Sequence, residues 1–157
     1  MARLVQALAL LTLATTPLAA QQLKLRQASP VEQLHLSPRL AIPEDSLRLV
    51  GRGVWVYDPQ LGNGAVADSG KVVQVHYVGM FTDGRTFSAT QRKPFTFTLG
   101  ANAVIAGWED GVLGMRVGGR RMLIVPPHLG YGAEGDQGIP PDAVLVFDVT
   151  LVEVTDR

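Results

Sequence analysis

"VIAGWEDGVLGM", Val104 to Met115, sets two rules of helix formation against each other. Ile105, Trp108, Val112 and Met115 recur at steps of three to four, the spacing that places side chains on one face of a helix. Gly107, Gly111 and Gly114 stand in the same segment, and each lowers helix propensity by about 1 kcal/mol relative to alanine. A short helix tolerates such residues where a missing Cβ lets it approach a sheet closely, so the gain in packing offsets the loss. The spacing alone leaves open which glycine faces the sheet.

On both sides of this segment the sequence turns to short β-like runs. "VWVYD" is strand-like, and Asp58-Pro59 followed by Gly62-Asn63-Gly64 reads as a loop. In "KVVQVHYVGM", Val73, Val75 and Tyr77 alternate with Val72, Gln74 and His76, which places Tyr77 on the apolar side. Asp83-Gly84 has the composition of a two-residue hairpin turn. "PFTFTLG" points Phe95, Phe97 and Leu99 one way and Thr96 and Thr98 the other. After the helix, Gly118-Gly119 predicts a left-handed stop, "RRMLIV" a strand closed by Pro126-Pro127, and "VLVFDVTLVEV" a final strand with Leu145, Phe147, Val149 and Leu151 on one face. Strands, one helix, then strands describe an α+β fold, an antiparallel sheet wrapped on one short helix.

Composition narrows the function. Lys+Arg and Asp+Glu both number 14, so the chain lacks the excess of cations that gives nucleic-acid binding its affinity. It contains no cysteine, which removes disulfides, thiolate nucleophiles and thiolate-bound metals. His35, His76 and His128 are too scattered for a zinc motif. No nucleophile triad or phosphate-binding glycine loop stands out. The aromatic residues predicted to point inward, Tyr77, Phe95, Trp108 and Phe147, are compatible with a plain core and with an aromatic-lined pocket.

The amino end, "MARLVQALALLTLATTPLAAQQ", has a basic residue, an apolar run of about eleven residues and a small-residue junction at Ala20. It reads as a secretory signal peptide over residues 1–20, with export to a periplasm or the exterior and no stable membrane insertion after cleavage. Residues 21–50, with Pro30, Pro38 and Pro43, read as a linker. A short helix capped by Ser29 and Glu32 would be ended by Pro38.

Five pieces, "VHYVGMFTDGRTF", "KPFTFTLG", "VIAGWEDGVLGMRVGGRR", "PPHLGYGAEG" and "GIPPDAVLVFDVTLVEV", run in the order and nearly the spacing of the FKBP-type peptidyl-prolyl cis-trans isomerases. Residues 51–157 resemble that domain, in an exported, bacterial-type member. The resemblance implies a strongly curved antiparallel sheet half-wrapped around a short helix. It makes Trp108 the floor for a substrate proline ring and Tyr77, Phe95, Val104, Ile105 and Phe147 walls, with Phe87 and Tyr131 at the rim. Tyr77, the Ile105 N–H and the Tyr131 hydroxyl take the catalytic roles, while Phe87, Ser88, Phe95, Val104, Trp108, Ile139 and Phe147 bind substrate. No cofactor or metal is implied. Partners would be proline-containing unfolded or partly folded polypeptides, and FK506-type macrolides.

Two departures qualify the match. Ser88 stands where the family usually has aspartate, and the connection from there to Pro94 is about two residues shorter than usual. The loop around Tyr131 is too short to carry an inserted chaperone domain. Two functions follow: an isomerase that assists folding of exported chains, or a proline-directed binding module or holdase with little catalysis.

Overall fold

A computed structural model describes residues 34–156. The expected signal peptide and most of the helix expected from Ser29 lie outside these residues. Among the described residues, seven strands form one sheet: β1 (Arg48–Val50), β2 (Val54–Gln60), β3 (Val72–Phe81), β4 (Thr86–Ala89), β5 (Phe95–Thr98), β6 (Arg120–Val125) and β7 (Leu145–Thr155). The order is β1-β2-β6-β7-β3-β4, with β5 also paired to β3, and every pairing is antiparallel. Among the described residues the α+β reading of an open antiparallel sheet with one short helix therefore holds.

The helix, α1 (Ala106–Val112), packs its Trp108 and Val112 side into the core with Val73, Val75, Phe97, Leu123, Phe147 and Leu151. Its glycines now divide by cause. A Cβ on Gly107 would overlap the Val125 side chain, and one on Gly111 would come within 2.8 Å of Leu123 Cδ2, so these two let the helix lie against β6. Gly114 meets nothing and instead takes φ +77° just past the helix. It, rather than Gly118-Gly119, is the left-handed stop, and Met115 is buried beyond the helix rather than on it. Gly107→Ala should therefore destabilise the fold by about 1–3 kcal/mol through overpacking, despite alanine's better helix propensity. Urea unfolding checks this; an unchanged or higher midpoint would remove close approach as the reason for the glycine.

Two arginines tie down the helix. Arg52 donates through its backbone N and Nε to Asp110 Oδ2, both at 2.9 Å, fixing the β1–β2 turn to the helix. Arg121, almost fully buried, donates to the carbonyls of Gly111 at 2.9 Å and Leu113 at 3.3 Å, groups that the helix end leaves without partners. Its Nε and Nη2 also hold Asp58 at 2.5 and 3.2 Å, while Arg48 reaches the same carboxylate at 2.5 Å.

Three sequence expectations change. Asp58-Pro59 belongs to β2 rather than to a loop; the β2–β6 register shifts between Tyr57 and Gln60, where a residue without an N–H interrupts nothing. The Asp83-Gly84 hairpin has three loop residues, Thr82 to Gly84, because Phe81 N bonds to Arg85 O and only Gly84 has positive φ, at +90°. From Leu34 the expected linker is part of the fold. Leu34, Leu36, Leu40, Ile42 and Leu47 cover the outer face of the sheet over Met122, Ile124 and Val146, and Ser37 N bonds to Thr82 O at 2.8 Å. A chain starting at Arg48 should accordingly unfold at lower urea than one starting at Leu34 and self-associate through the uncovered face. Equal midpoints and two monomers in sedimentation would return this segment to the status of a linker.

Candidate functional site

The edge beside β3 is split, and the site opens at the split. β4 pairs with β3 at Val78 to Met80 and β5 pairs with it at Val72 to Val75, leaving Tyr77 opposite the connecting loop. Thr90 bridges this break: its N–H donates to Tyr77 O at 3.0 Å, and its Oγ1 accepts from Tyr77 N at 3.0 Å. Ser88 and Phe95 flank the loop from either end and, like Tyr77, face the concave side. Gly79 follows Tyr77 on that face, and a Cβ there would stand 2.8 Å from the Phe87 ring and 3.1 Å from Phe147. The absent side chain leaves room for both rings.

The result is a cavity of about 650 Å³ between the sheet's concave face and the start of α1. It brings together Tyr77, Phe87, Ser88, Phe95, Val104, Ile105, Trp108, Tyr131, Ile139 and Phe147, all ten residues singled out in the sequence. Trp108 is buried, and the rings of Tyr77, Phe147 and Phe95 meet it edge-on at 5.0, 5.3 and 5.9 Å between centroids. Edge-to-face contacts of this kind add about 0.5–1.5 kcal/mol each beyond area burial, so the floor is rigidly framed. Phe95, expected as a wall, is 40% exposed and stands at the mouth; Phe87, expected at the rim, is half-buried between Phe81 and Phe147.

Polar groups sit among these rings. The Tyr77 hydroxyl and Ser88 Oγ lie 2.9 Å apart, so position 88 still points inward on the shortened connection. Ile105 caps α1 by accepting Trp108 N at 2.9 Å through its carbonyl, and its own N–H finds no acceptor among the described residues. Burial, and then the charge of Asp136, push the Tyr131 hydroxyl above its ordinary pKa, which keeps it a proton donor well past neutral pH. Glu109, buried behind the floor, accepts Gly100 N at 2.6 Å and so ties the loop before α1 to the helix. No group of metal-binding side chains occurs among the described residues.

Sequence reasoning missed Asn102, Ala103, Asp136 and Gln137, which also line the cavity. They sit in loops, where no periodicity marks a facing. Their one available signal is adjacency, since 102–103 precede Val104 and 136–137 lie between Tyr131 and Ile139.

The site these residues define is an aromatic-floored cleft between an open antiparallel sheet and a short helix. The chain belongs to the FKBP-type peptidyl-prolyl cis-trans isomerase family, whose model matches residues 64–152. It is 46% identical over 104 residues to FK506-binding protein 4 of Aspergillus fumigatus, covering 66% of this chain and 21% of that protein. The chain thus spans about a fifth of the length of the curated relatives it matches. A peptidyl-prolyl cis-trans isomerase from Pseudomonas syringae superposes with TM-score 0.67 at 29% identity, covering 82% of this chain and 98% of that one. FkpA from Escherichia coli superposes with TM-score 0.68 at 30% identity, covering 88% and 65%.

Proposed function

We propose that this chain catalyses cis-trans isomerisation of X-Pro bonds in exported polypeptides and so assists their folding. The observation that carries the reading is the aromatic floor, Trp108 framed by Tyr77, Phe95 and Phe147 at the base of a cavity large enough for a proline and its neighbours. Amide resonance imposes a barrier of about 18–20 kcal/mol on rotation. Twisting the C–N bond breaks that resonance and makes the amide less polar and its nitrogen pyramidal. A cavity that buries the ring and excludes water favours this twisted form over both planar isomers, with each 1.4 kcal/mol of preference worth about tenfold in rate.

The Ile105 N–H and the Tyr131 hydroxyl, both without a hydrogen-bond partner among the described residues, are suited to hold substrate carbonyls on either side of the bond. The Tyr77 hydroxyl, paired with Ser88, supplies a polar edge beside the ring. Unfolded or partly folded chains fit as substrates because slow proline isomerisation can limit folding. FK506-type macrolides fit as competing ligands for the same cleft. Export rests on the sequence of residues 1–20; no helix among the described residues is long and apolar enough to cross a membrane.

Ser88, a neutral group where the family usually has a carboxylate, favours one second reading, a proline-binding module with little turnover. Isomerisation of a Leu-Pro peptide, followed with and without an FK506-type macrolide, separates the two. The isomerase reading expects a macrolide-sensitive acceleration; peptide binding without acceleration would replace it by the binding module. For export, sequencing the amino terminus of secreted protein should find Gln21 first, and an intact Met1 in a membrane fraction would overturn it.

A further inference from the structure

Among the described residues one charged side chain lines the cavity, Asp136, and neither ring burial nor carbonyl orientation uses it. Its backbone is fixed. Asp136 N donates to Ile139 O at 3.0 Å and Ile139 N donates back to Asp136 O at 2.8 Å, with Gly138 at φ +82° completing a two-residue turn. Ile139 is itself buried in the core, so the turn is anchored to the cavity wall. The carboxylate therefore hangs from a rigid turn at the mouth. Its Oδ1 accepts the Gln137 N–H at 2.7 Å, and the side chain makes no ion pair among the described residues. Oδ2 remains available to a ligand.

No lysine or arginine among the described residues lines the cavity. Arg92 and Lys93 lie exposed in the loop between β4 and β5, outside the lining, and exposed Glu134 shares the loop of Asp136. The Asp136 charge also reaches the Tyr131 hydroxyl, which places the carboxylate beside the group suited to hold a substrate carbonyl. A cavity of this volume is about 10 Å across, or three residues of extended chain at roughly 3.3 Å each. A peptide whose proline rests on Trp108 therefore brings a neighbour within one or two residues to Asp136.

We propose that Asp136 is a specificity-determining residue that favours proline segments carrying a lysine or arginine within two residues of the proline. This rests on the isomerase reading for its catalytic readout. Because the carboxylate is exposed, the preference is small and salt-sensitive, about two- to fivefold at low ionic strength.

The test compares Leu-Pro peptides carrying lysine, glutamine or glutamate beside the Leu-Pro pair, measuring kcat/KM and Kd on the full chain at low and high ionic strength. Asp136→Asn keeps the Oδ1 acceptor for Gln137 N and removes only the charge; Glu134→Gln neutralises an acid of the same loop outside the cavity. The expected ranking is lysine over glutamine over glutamate, compressed by salt, retained in Glu134→Gln and flattened in Asp136→Asn. A wild-type chain without the ranking, an Asp136→Asn variant that keeps it, or a Glu134→Gln variant that loses it equally would overturn the assignment. If no peptide is turned over, the isomerase reading fails, and the Kd ranking decides the role of Asp136 independently.

Discussion

Replacing Trp108 with leucine should lower kcat/KM for a Leu-Pro peptide by roughly ten- to a hundredfold. The indole offers the proline ring a flat apolar surface that leucine only partly replaces, and losing about 60–100 Å² of buried contact costs about 1.5–2.5 kcal/mol. The framing contacts with Tyr77, Phe95 and Phe147 are lost as well, which loosens the rest of the site. Phe147→Leu, which removes one side of the frame, should fall in the same direction. Both residues also belong to the core, so circular dichroism and urea unfolding must first show that the variants are folded. Ser88→Ala is the contrasting change: it removes one neutral hydrogen bond to Tyr77, worth about 0.5–1.5 kcal/mol, and should cost less than roughly tenfold. If Ser88→Ala abolished turnover while folded Trp108→Leu kept it, an apolar floor would not be the source of catalysis.

Arg121→Met should produce the largest loss of stability of any single surface-distant charge, about 3 kcal/mol. The guanidinium is 7% exposed, and three groups depend on it: Asp58 and the carbonyls of Gly111 and Leu113. Methionine fills much of the space but leaves those carbonyls without their donor and Asp58 with Arg48 alone. Burial pushes the Asp58 carboxyl up, but the hydrogen bonds and charges of Arg121 and Arg48 outweigh it and hold the group below its ordinary value. A carboxylate with a folded pKa below its unfolded pKa, near 3.9, contributes stability that is full above about pH 5 and lost as pH falls through the folded value. Wild-type stability should therefore drop with acid below about pH 4, and Arg121→Met should flatten that part of the profile. Urea midpoints across this range provide the measurement; an unchanged midpoint at neutral pH would mean that Arg48 and packing suffice.

Legibility differed with the kind of signal. Tyr77, Phe97, Leu99 and Phe147 were readable because strand alternation assigns each residue a side, and Trp108 because helical spacing does the same. The motif order carried the role of the Ile105 N–H and the remaining site residues, including Tyr131, whose facing no period reveals. Asp136 and Gln137 went unread because a turn presents side chains according to its hydrogen bonds, here the Asp136–Ile139 pair, which composition does not display. The cover formed by Leu34 to Leu47 was misread for a related reason. Its leucines follow no regular period, since they fit the outer face of a twisted sheet through two short 3-10 turns rather than through a helix or strand.

The sequence by itself determined the strands after β1 and the short helix through local periodicity, and the family with the aromatic floor it implies through motifs carried in register. Tertiary structure decided the cause of each glycine. Gly107 and Gly111 are identical in sequence terms to Gly114, yet two are set by the distance from α1 to β6 and the third by a backbone angle. It also decided the partners of Arg121, since Asp58 lies 63 residues away and reaches it only because β2 and β6 are neighbours. Contacts across the sheet arise from which strands pair, and that pairing is a property of the whole packed core.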